Sequence, residues 1–212
     1  MLPYEPLVND KNSFIYEIKV TEEKTIGKGR LLIFIVAYNA EQTIENVLRR
    51  IPQNLSDEYM VEILIIDDSS HDQTFAKSEL AKRSGSVPFN MTVLFNPVNQ
   101  GYGGNQKIGF HYAVENGFDW VALLHGDGQY APECLPKLTE VLAQKEADAV
   151  FGSRMMEGRS ALKGGMPLYK FVGNKILTNF QNLLLGSNLS EFHSGYRLYS
   201  VEALTKIPFD LN

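Results

Sequence analysis

Residues 31–52 read LLIFIVAYNAEQTIENVLRRIP, an apolar run followed by a helical pattern. Residues 31–37 are apolar throughout, as expected of a strand that is buried on both faces of a sheet. After a short polar turn, apolar side chains recur on one side of a predicted helix, at Ile44, Val47, Leu48 and Ile51. A buried strand followed by an amphipathic helix predicts a βα unit of a mostly parallel sheet.

The same alternation continues along the chain. Further predicted strands occupy residues 61–66, 91–95, 120–124, 148–151 and 195–199. Helical patterns separate most of them and include residues 132–147 and 167–185. We therefore predict a single α/β domain over residues 30–212, with a mostly parallel sheet flanked by helices. Residues 1–29 are predicted to be an N-terminal extension, and the domain is expected to lack a C-terminal portion.

The composition limits the partners of the chain. The 212 residues carry a net charge of -5, which argues against nucleic acid because its binders usually present a basic face. Cys134 is the one cysteine, so no intramolecular disulfide forms and a reducing, cytoplasmic location is expected. The sequence contains no apolar run of the length that a membrane helix needs, so work at the inner face of a membrane would be peripheral.

Polar clusters follow four of the predicted strands. In an open parallel α/β sheet the ligand binds beyond the carboxyl ends of the strands, so these clusters are candidate ligand sites. They are Ala37-Tyr38-Asn39-Ala40-Glu41, Asp67-Asp68, Asn99-Gln100-Gly101-Tyr102-Gly103-Gly104 and His125-Gly126-Asp127-Gly128-Gln129.

The second and third clusters leave alternatives open. One carboxylate of Asp67 and Asp68 can accept a hydrogen bond from a base or a ribose while the other caps the turn, or both can be caps. The segment Gly101–Gly104 is either a plain turn or a cradle for phosphate built from backbone N–H groups.

Asp127 lies between two glycines directly after an apolar strand. A carboxylate there has room to reach a hard divalent cation while the backbone approaches a diphosphate. A tight turn would explain the glycines, but it would not explain His125 and Gln129 on either side. This cluster therefore indicates a metal and diphosphate site.

Six segments together resemble glycosyltransferase family 2, in particular the polyprenyl-phosphate sugar transferases similar to dolichol-phosphate mannose synthase. They are IVAYNAEQTI, IIDDSSHDQT, NPVNQGYGGNQKIG, LLHGDGQYAPE, FGSRMMEG and SEFHSGYRLYS, and they cover the chain from about Leu31 to Ser200. The resemblance implies a GT-A (Rossmann-like) fold. It also implies an enzyme that moves a sugar, with inversion, from a nucleoside-diphosphate sugar to an acceptor, here a polyprenyl phosphate.

The resemblance further implies which residues bind donor and metal. The implied nucleotide-binding residues are Ala37, Tyr38, Asn39, Glu41, Asp67, Asp68, Asn99, Gly101, Gly103, Gly126 and Arg154. A divalent cation, Mn²⁺ or Mg²⁺, is implied at Asp127 and Gln129. His125 stands where the family has the first Asp of its Asp-x-Asp motif, so it is either a ligand that suits Mn²⁺ or a hydrogen-bonding neighbour. Ala40 replaces the usual Glu of the first motif, with Glu41 one position later.

Four residues are the implied catalytic set: Asp127, Arg197, His193 and Glu191. Arg197 would bind the diphosphate or the acceptor phosphate, although ordinary surface pairing is the alternative for Arg197 and Arg154. A lipid phosphate is already a nucleophile, whereas a sugar hydroxyl of a surface polysaccharide would need His193 or Glu191 as a base.

Other partners and functions stay open at this stage. An apolar face of the predicted helix 167–185, with Leu168, Val172, Leu183 and Leu184, can touch lipid, but burial in the core is expected. A nucleotidyltransferase would carry a glycine-rich basic loop after the first strand, where this chain has Ala37–Glu41. A non-catalytic module that binds nucleotide sugars is the other alternative.

Overall fold

Six strands form one sheet in the computed structural model, which describes residues 28–153, 155 and 167–211. The strands are β1 Arg30–Ala37, β2 Met60–Asp67, β3 Asn90–Phe95, β4 Trp120–His125, β5 Ala149–Phe151 and β6 Arg197–Ser200. Their order across the sheet is β3-β2-β1-β4-β6-β5. Strands β1 to β4 are parallel, and β6 runs antiparallel to both of its neighbours. The predicted α/β domain with a mostly parallel sheet is confirmed.

Helices connect the strands and cover the sheet. They are α1 Ile44–Arg49, α2 Leu55–Glu58, α3 Thr74–Ser84, α4 Gly101–Glu115, α5 Leu135–Ala143, α6 Leu168–Leu185 and α7 Val201–Leu204. Two 3₁₀ turns, Pro132–Cys134 and Phe209–Leu211, complete the described helical segments.

The alternation of side chains along β1 builds two cores. Ile33 and Ile35 pack with residues of α1, α3 and α5 on one face of the sheet. Phe34 lies on the other face, among residues of α4 and α7. Gly109 allows α4 to approach closely, because a Cβ there would overlap the Phe34 ring. Every residue from 31 to 37 is buried, as the apolar run predicted.

Several predictions differ from the structure. The predicted helix 132–147 begins as a 3₁₀ turn, and its α-helical part ends at Ala143. The segment Gly101–Gly104, for which a plain turn was one alternative, is the first turn of α4. The expected burial of the apolar face of helix 167–185 is wrong: its leucines are exposed. Of the predicted N-terminal extension, residues 1–27 lie outside the described residues.

Candidate active site

The carboxyl ends of β1, β2 and β4 and the start of α4 enclose a cavity of about 310 Å³, which we call the donor cavity. Its walls contain eight of the residues predicted from the sequence: Ala37, Tyr38, Asp68, Asn99, Gly101, His125, Gly126 and Asp127. Val36, Tyr102 and Asn105 complete the lining. Residues from three separate strand ends thus meet at one edge of the sheet, where an α/β fold binds its ligands.

The two adjacent aspartates have different surroundings. Asp67 is fully buried, and its Oδ1 accepts a hydrogen bond from the Ser70 backbone N–H at 2.7 Å. Asp68 lines the donor cavity, and its Oδ1 accepts from Asn96 Nδ2 and from the Gln100 backbone N–H, each at 2.8 Å. Asp67 therefore caps the turn and stands outside the lining, while Asp68 holds the start of α4 and presents a carboxylate to the cavity.

Asn99 and Gly101 shape the first turn of α4. The Asn99 amide donates to the Asp68 carbonyl at 2.8 Å, and its oxygen accepts from the Gly101 N–H at 2.9 Å. Gly101 has a φ of 69°, which favours glycine. The N-terminus of a 15-residue helix therefore faces the cavity, with the partial positive charge that favours an anionic ligand.

Asn39 and Glu41 tie two loops together and do not line the cavity. The Asn39 side-chain oxygen accepts from the His71 N–H, and Glu41 Oε2 accepts from the Gln73 N–H, both at 3.0 Å. In return, the Glu41 N–H donates to Asp72 Oδ2 at 3.1 Å. Their direct role in nucleotide binding stays a prediction. The part that Asp72 plays was missed, although an Asp two residues before a helix is an ordinary capping signal.

Asp127 is an exposed carboxylate at the rim of the donor cavity. Its Oδ1 accepts a hydrogen bond from the Gln129 backbone N–H at 3.0 Å. Gly126, directly before it, is buried; a Cβ there would lie 3.2 Å from that of Ala40. The small residues at 40 and 126 let the β1 and β4 loops meet closely beside the carboxylate.

The described residues supply few protein ligands for a cation. Among residues 28–153, 155 and 167–211, no group of three His, Cys, Asp or Glu side chains is arranged to hold one. Mg²⁺ and similar hard cations commonly bind through one or two carboxylates together with substrate phosphates. Asp127 therefore fits a cation that binds together with a diphosphate.

His125 is packed between aromatic rings. Its ring centroid lies 5.1 Å from that of Tyr102 and 5.2 Å from that of Tyr130. Its Nε2 atom is buried next to the backbone of Gly195, so this atom is closed to a cation in the present arrangement. A direct bond from His125 to a metal stays a prediction, which would have to involve the other ring nitrogen.

A second cavity of about 230 Å³, which we call the acceptor cavity, adjoins the first. It is lined by Tyr102, His125, Tyr130, His193, Ser194, Gly195 and Arg197, so the two cavities share Tyr102 and His125. Arg197 Nε donates to the Ser194 carbonyl at 2.6 Å, and no carboxylate of the described part of the chain pairs with this guanidinium. Burial raises the pKa of Tyr102, and the charge of Arg197 offsets part of that rise.

The remaining predicted residues lie elsewhere. Glu191 is buried, accepts from Asn174 Nδ2 at 2.9 Å and lines neither cavity. Gly103 and Gln129 are also absent from both linings. Arg154 lies outside the described residues. The structure thus gathers His193 and Arg197 beside the donor cavity and separates them from Glu191.

Three known proteins illustrate what this chain is similar to. The undecaprenyl-phosphate mannosyltransferase of Micrococcus luteus is 29% identical over 85% of this chain and 70% of its own length. The UDP-N-acetylglucosamine–dolichyl-phosphate N-acetylglucosaminyltransferase of Methanococcus voltae is 31% identical over 82% of this chain and 70% of its own length. Glucosyl-3-phosphoglycerate synthase of Mycobacterium tuberculosis, solved with Mn²⁺, UDP-glucose and phosphoglyceric acid, shares the fold at a TM-score of 0.59 and 20% identity.

The match to that solved structure covers 85% of this chain and 60% of the other chain, so this chain is shorter than the proteins it resembles. The family model described as "Glycosyl transferase family 2" matches residues 32–207. That match includes both cavities, β1 from its third residue onward and the other five strands in full. The chain therefore belongs to glycosyl transferase family 2.

Proposed function

We propose that this chain transfers a sugar from a nucleoside-diphosphate sugar to the phosphate of a polyprenyl phosphate, with inversion at the anomeric carbon. The observation that carries the proposal is the junction of the two cavities. One cavity has carboxylates and a helix N-terminus, and the other has a guanidinium that no described carboxylate neutralises. The names of the relatives from Micrococcus luteus and Methanococcus voltae, which act on polyprenyl and dolichyl phosphates, support this choice of acceptor.

The nucleoside would bind in the donor cavity. Asp68 offers a carboxylate that can accept a hydrogen bond from a base N–H or a ribose hydroxyl, and Tyr38 exposes a ring at the mouth of the cavity. The diphosphate would lie near Gly101 and Gly126, where the start of α4 favours negative charge. The relatives use different sugars, so the base and the sugar are matters for experiment.

A divalent cation would be held by Asp127 and by oxygens of the diphosphate, with Gln129 two residues further along the chain. When bound, it would neutralise the charge that develops on the departing diphosphate. Glucosyl-3-phosphoglycerate synthase, which shares the fold, was solved with Mn²⁺ and UDP-glucose, and this supports a divalent cation in general. The choice between Mn²⁺ and Mg²⁺ stays a prediction.

The acceptor phosphate would bind to Arg197 in the acceptor cavity. One of its oxygens forms the new bond to the anomeric carbon as the bond from that carbon to the diphosphate breaks. A phosphate monoester is already anionic, so no residue has to remove a proton. A planar guanidinium held by a backbone carbonyl is suited to orient such a phosphate.

A sugar hydroxyl as acceptor is the alternative, and it would need a base. His193 lines the acceptor cavity and could take that part, whereas the buried Glu191 is engaged with Asn174. A non-catalytic module would bind the donor and show no transfer. The cytoplasmic location predicted from the sequence also stays a prediction.

The test is transfer from radiolabelled UDP- and GDP-sugars to undecaprenyl phosphate in detergent, with Mn²⁺, Mg²⁺ or EDTA. We expect a labelled lipid that mild acid hydrolyses, because a glycosyl phosphate is acid-labile. Donor binding without transfer to any phosphate acceptor would contradict the proposal. Transfer to a saccharide hydroxyl that Arg197→Ala leaves unchanged would favour the alternative.

A further inference from the structure

Helix α6, Leu168–Leu185, presents its apolar side chains to the outside of the protein. Nine large apolar residues are exposed on it: Leu168, Tyr169, Val172, Ile176, Leu177, Phe180, Leu183, Leu184 and Leu185. Ile176 is 63% exposed and Leu183 is 81% exposed. Contiguous exposed apolar surface of this kind usually marks an interaction site.

The side of α6 that faces the protein is the more polar one. Only Phe171 and Thr178 are buried on it. Asn174 donates to Glu191 Oε1 at 2.9 Å, and Asn182 donates to the Leu189 carbonyl at 2.8 Å. The usual arrangement of a surface helix, with its apolar stripe towards the core, is therefore reversed.

The charges on α6 are all positive. Lys170 and Lys175 are its charged residues, both are exposed, and the helix has no acidic residue. At 3.6 residues per turn, the two lysines lie on opposite borders of the outward apolar face. Long lysine side chains at such borders can reach anionic headgroups while their stems cover apolar surface. The charge on this face is opposite in sign to the net charge of -5 of the whole chain.

The hydrogen bonds of α6 also connect it to the acceptor cavity. Asn182 and Asn174 hold Leu189 and Glu191, which lie four and two residues before the cavity residue His193. A surface that covers the outer face of α6 would therefore lie next to the segment that leads to Arg197. No helix of the described residues is long and apolar enough to cross a bilayer.

We propose that α6 lies in the interface of an anionic lipid membrane, with its outward apolar face in the bilayer surface and Lys170 and Lys175 at the headgroups. The consequence for catalysis rests on the proposed function: binding of α6 to the membrane would bring a polyprenyl phosphate in that membrane close to Arg197. The partner of the outward apolar face is therefore a lipid surface, on which α6 lies as an amphipathic helix without crossing the bilayer.

The test is co-sedimentation of the 212-residue chain with vesicles of phosphatidylcholine, with or without phosphatidylglycerol. We expect binding to the anionic vesicles and much weaker binding to the neutral ones. The double variant Ile176→Asp/Leu183→Asp should bind more than about tenfold more weakly, since two aliphatic side chains no longer enter the apolar layer. Lys170→Gln and Lys175→Gln should each weaken binding about fivefold at low salt.

The matched control is Leu80→Asp. Leu80 lies on α3 and is 62% exposed, so the substitution places one negative charge, half of what the double variant adds, on a similarly exposed leucine away from α6. Its vesicle binding should weaken by no more than about fivefold, which is the effect expected of one surface charge. Equal losses in Leu80→Asp and the α6 variant would overturn the proposal, since the effect would then be one of net charge alone.

A second measurement does not depend on the aspartate variants. Phe180→Trp places a reporter on the outward face, and brominated lipid in anionic vesicles should quench its emission, while Trp120, which packs partly buried against the core on β4, should be unaffected. Absence of quenching would overturn the proposal. A second contradicting result would be a wild-type protein that forms a dimer and does not bind vesicles, with Ile176→Asp/Leu183→Asp converting the dimer to monomer. A second copy of the chain would then cover the outward face of α6.

Activity assays separate this inference from the proposed function. The double variant should keep transfer to a short, water-soluble polyprenyl phosphate and lose most transfer to undecaprenyl phosphate embedded in vesicles. If wild-type protein binds vesicles but uses no phosphate acceptor in either form, the proposed function fails and the membrane site stands. If it uses the soluble acceptor and does not bind vesicles, the membrane site fails alone.

Discussion

The backbone of Gly195 lies directly against the imidazole of His125. A Cβ at position 195 would overlap Nε2 and lie 2.8 Å from Cε1 of that ring, and it would come within 2.9 Å of the Tyr130 hydroxyl. The Gly195 N–H also donates to this hydroxyl at 2.7 Å. Because His125 belongs to the walls of both cavities, Gly195 connects the acceptor side to the donor side.

Gly195→Ala should therefore displace the His125 ring and lower kcat/KM by at least about tenfold, as small misplacements of a site commonly do. Steady-state kinetics with donor and acceptor varied in turn would measure the loss. The control is Gly173→Ala, where a Cβ meets nothing within 4 Å. It should keep activity with a soluble acceptor and stabilise the helix by about 0.5–1 kcal/mol.

Asp127→Ala should abolish the strengthening of nucleotide binding by Mn²⁺ and reduce transfer at least about 100-fold, because the proposed cation loses its protein carboxylate. Calorimetric titration of UDP and GDP, with and without Mn²⁺, measures the first effect. Asp57→Ala, which removes an exposed carboxylate from α2, is the control and should behave like wild type. Full activity in Asp127→Ala would exclude the proposed role.

The two neighbouring aspartates should respond differently to substitution by asparagine. Asp68→Asn should weaken nucleotide binding by about 1–3 kcal/mol, because a charged acceptor in the donor cavity is lost. Asp67→Asn should chiefly lower the free energy of unfolding, since Asp67 caps a buried turn outside the cavity. Calorimetry and urea denaturation of both variants test this. Identical effects on nucleotide affinity would contradict the division of roles.

Arg197→Lys should raise the KM for a phosphate acceptor at least about tenfold while the Kd of the nucleotide changes little. Lysine keeps the charge but loses the planar fork and the bond to the Ser194 carbonyl. Kinetics with varied acceptor, together with nucleotide titration, separate the two effects. A loss confined to nucleotide binding would place Arg197 on the donor diphosphate instead.

Asp72 should make stability depend on pH. Burial favours its neutral form, but hydrogen bonds from Thr74 and from the Glu41 N–H prevail and lower the pKa of Asp72. The stabilisation is therefore present above the ordinary carboxyl pKa and lost as the pH falls through the lowered value. Urea denaturation should show that wild type exceeds Asp72→Asn at neutral pH and that the difference disappears in acid.

Much of the fold could be predicted from the sequence because strands and ligand clusters leave local signals. The run 31–37 predicted the first strand of the sheet, and the polar residues after β1, β2 and β4 predicted the edge at which the donor cavity lies. The direction of β6 was not predicted, since no local pattern tells whether a strand runs with or against its neighbour. The outward exposure of the apolar face of α6 was not predicted either. The pattern of α6 is amphipathic, but periodicity does not show which face of a helix packs against the protein.

Within the candidate site, the sequence identified residue types better than their contacts. Asn39 and Glu41 belong to a motif that suggests a ligand, yet they bond to the neighbouring loop. Whether a polar side chain reaches a ligand or another loop depends on how loops distant in sequence meet, which spacing does not reveal. Glu191 is the same case, since its partner Asn174 lies on a different element.

The reversed direction of β6 affects how this protein can change over time. Its first residue, Arg197, lies near the carboxyl ends of the parallel strands β1, β2 and β4. The chain therefore enters β6 at the edge that carries both cavities, whereas β1, β2 and β4 end there. The donor cavity is lined by residues 36–127, whereas the acceptor cavity combines Tyr102, His125 and Tyr130 with residues 193–197. Under the proposed function, replacing residues 193–197 by those of a relative should change the recipient molecule while the activated sugar stays the same.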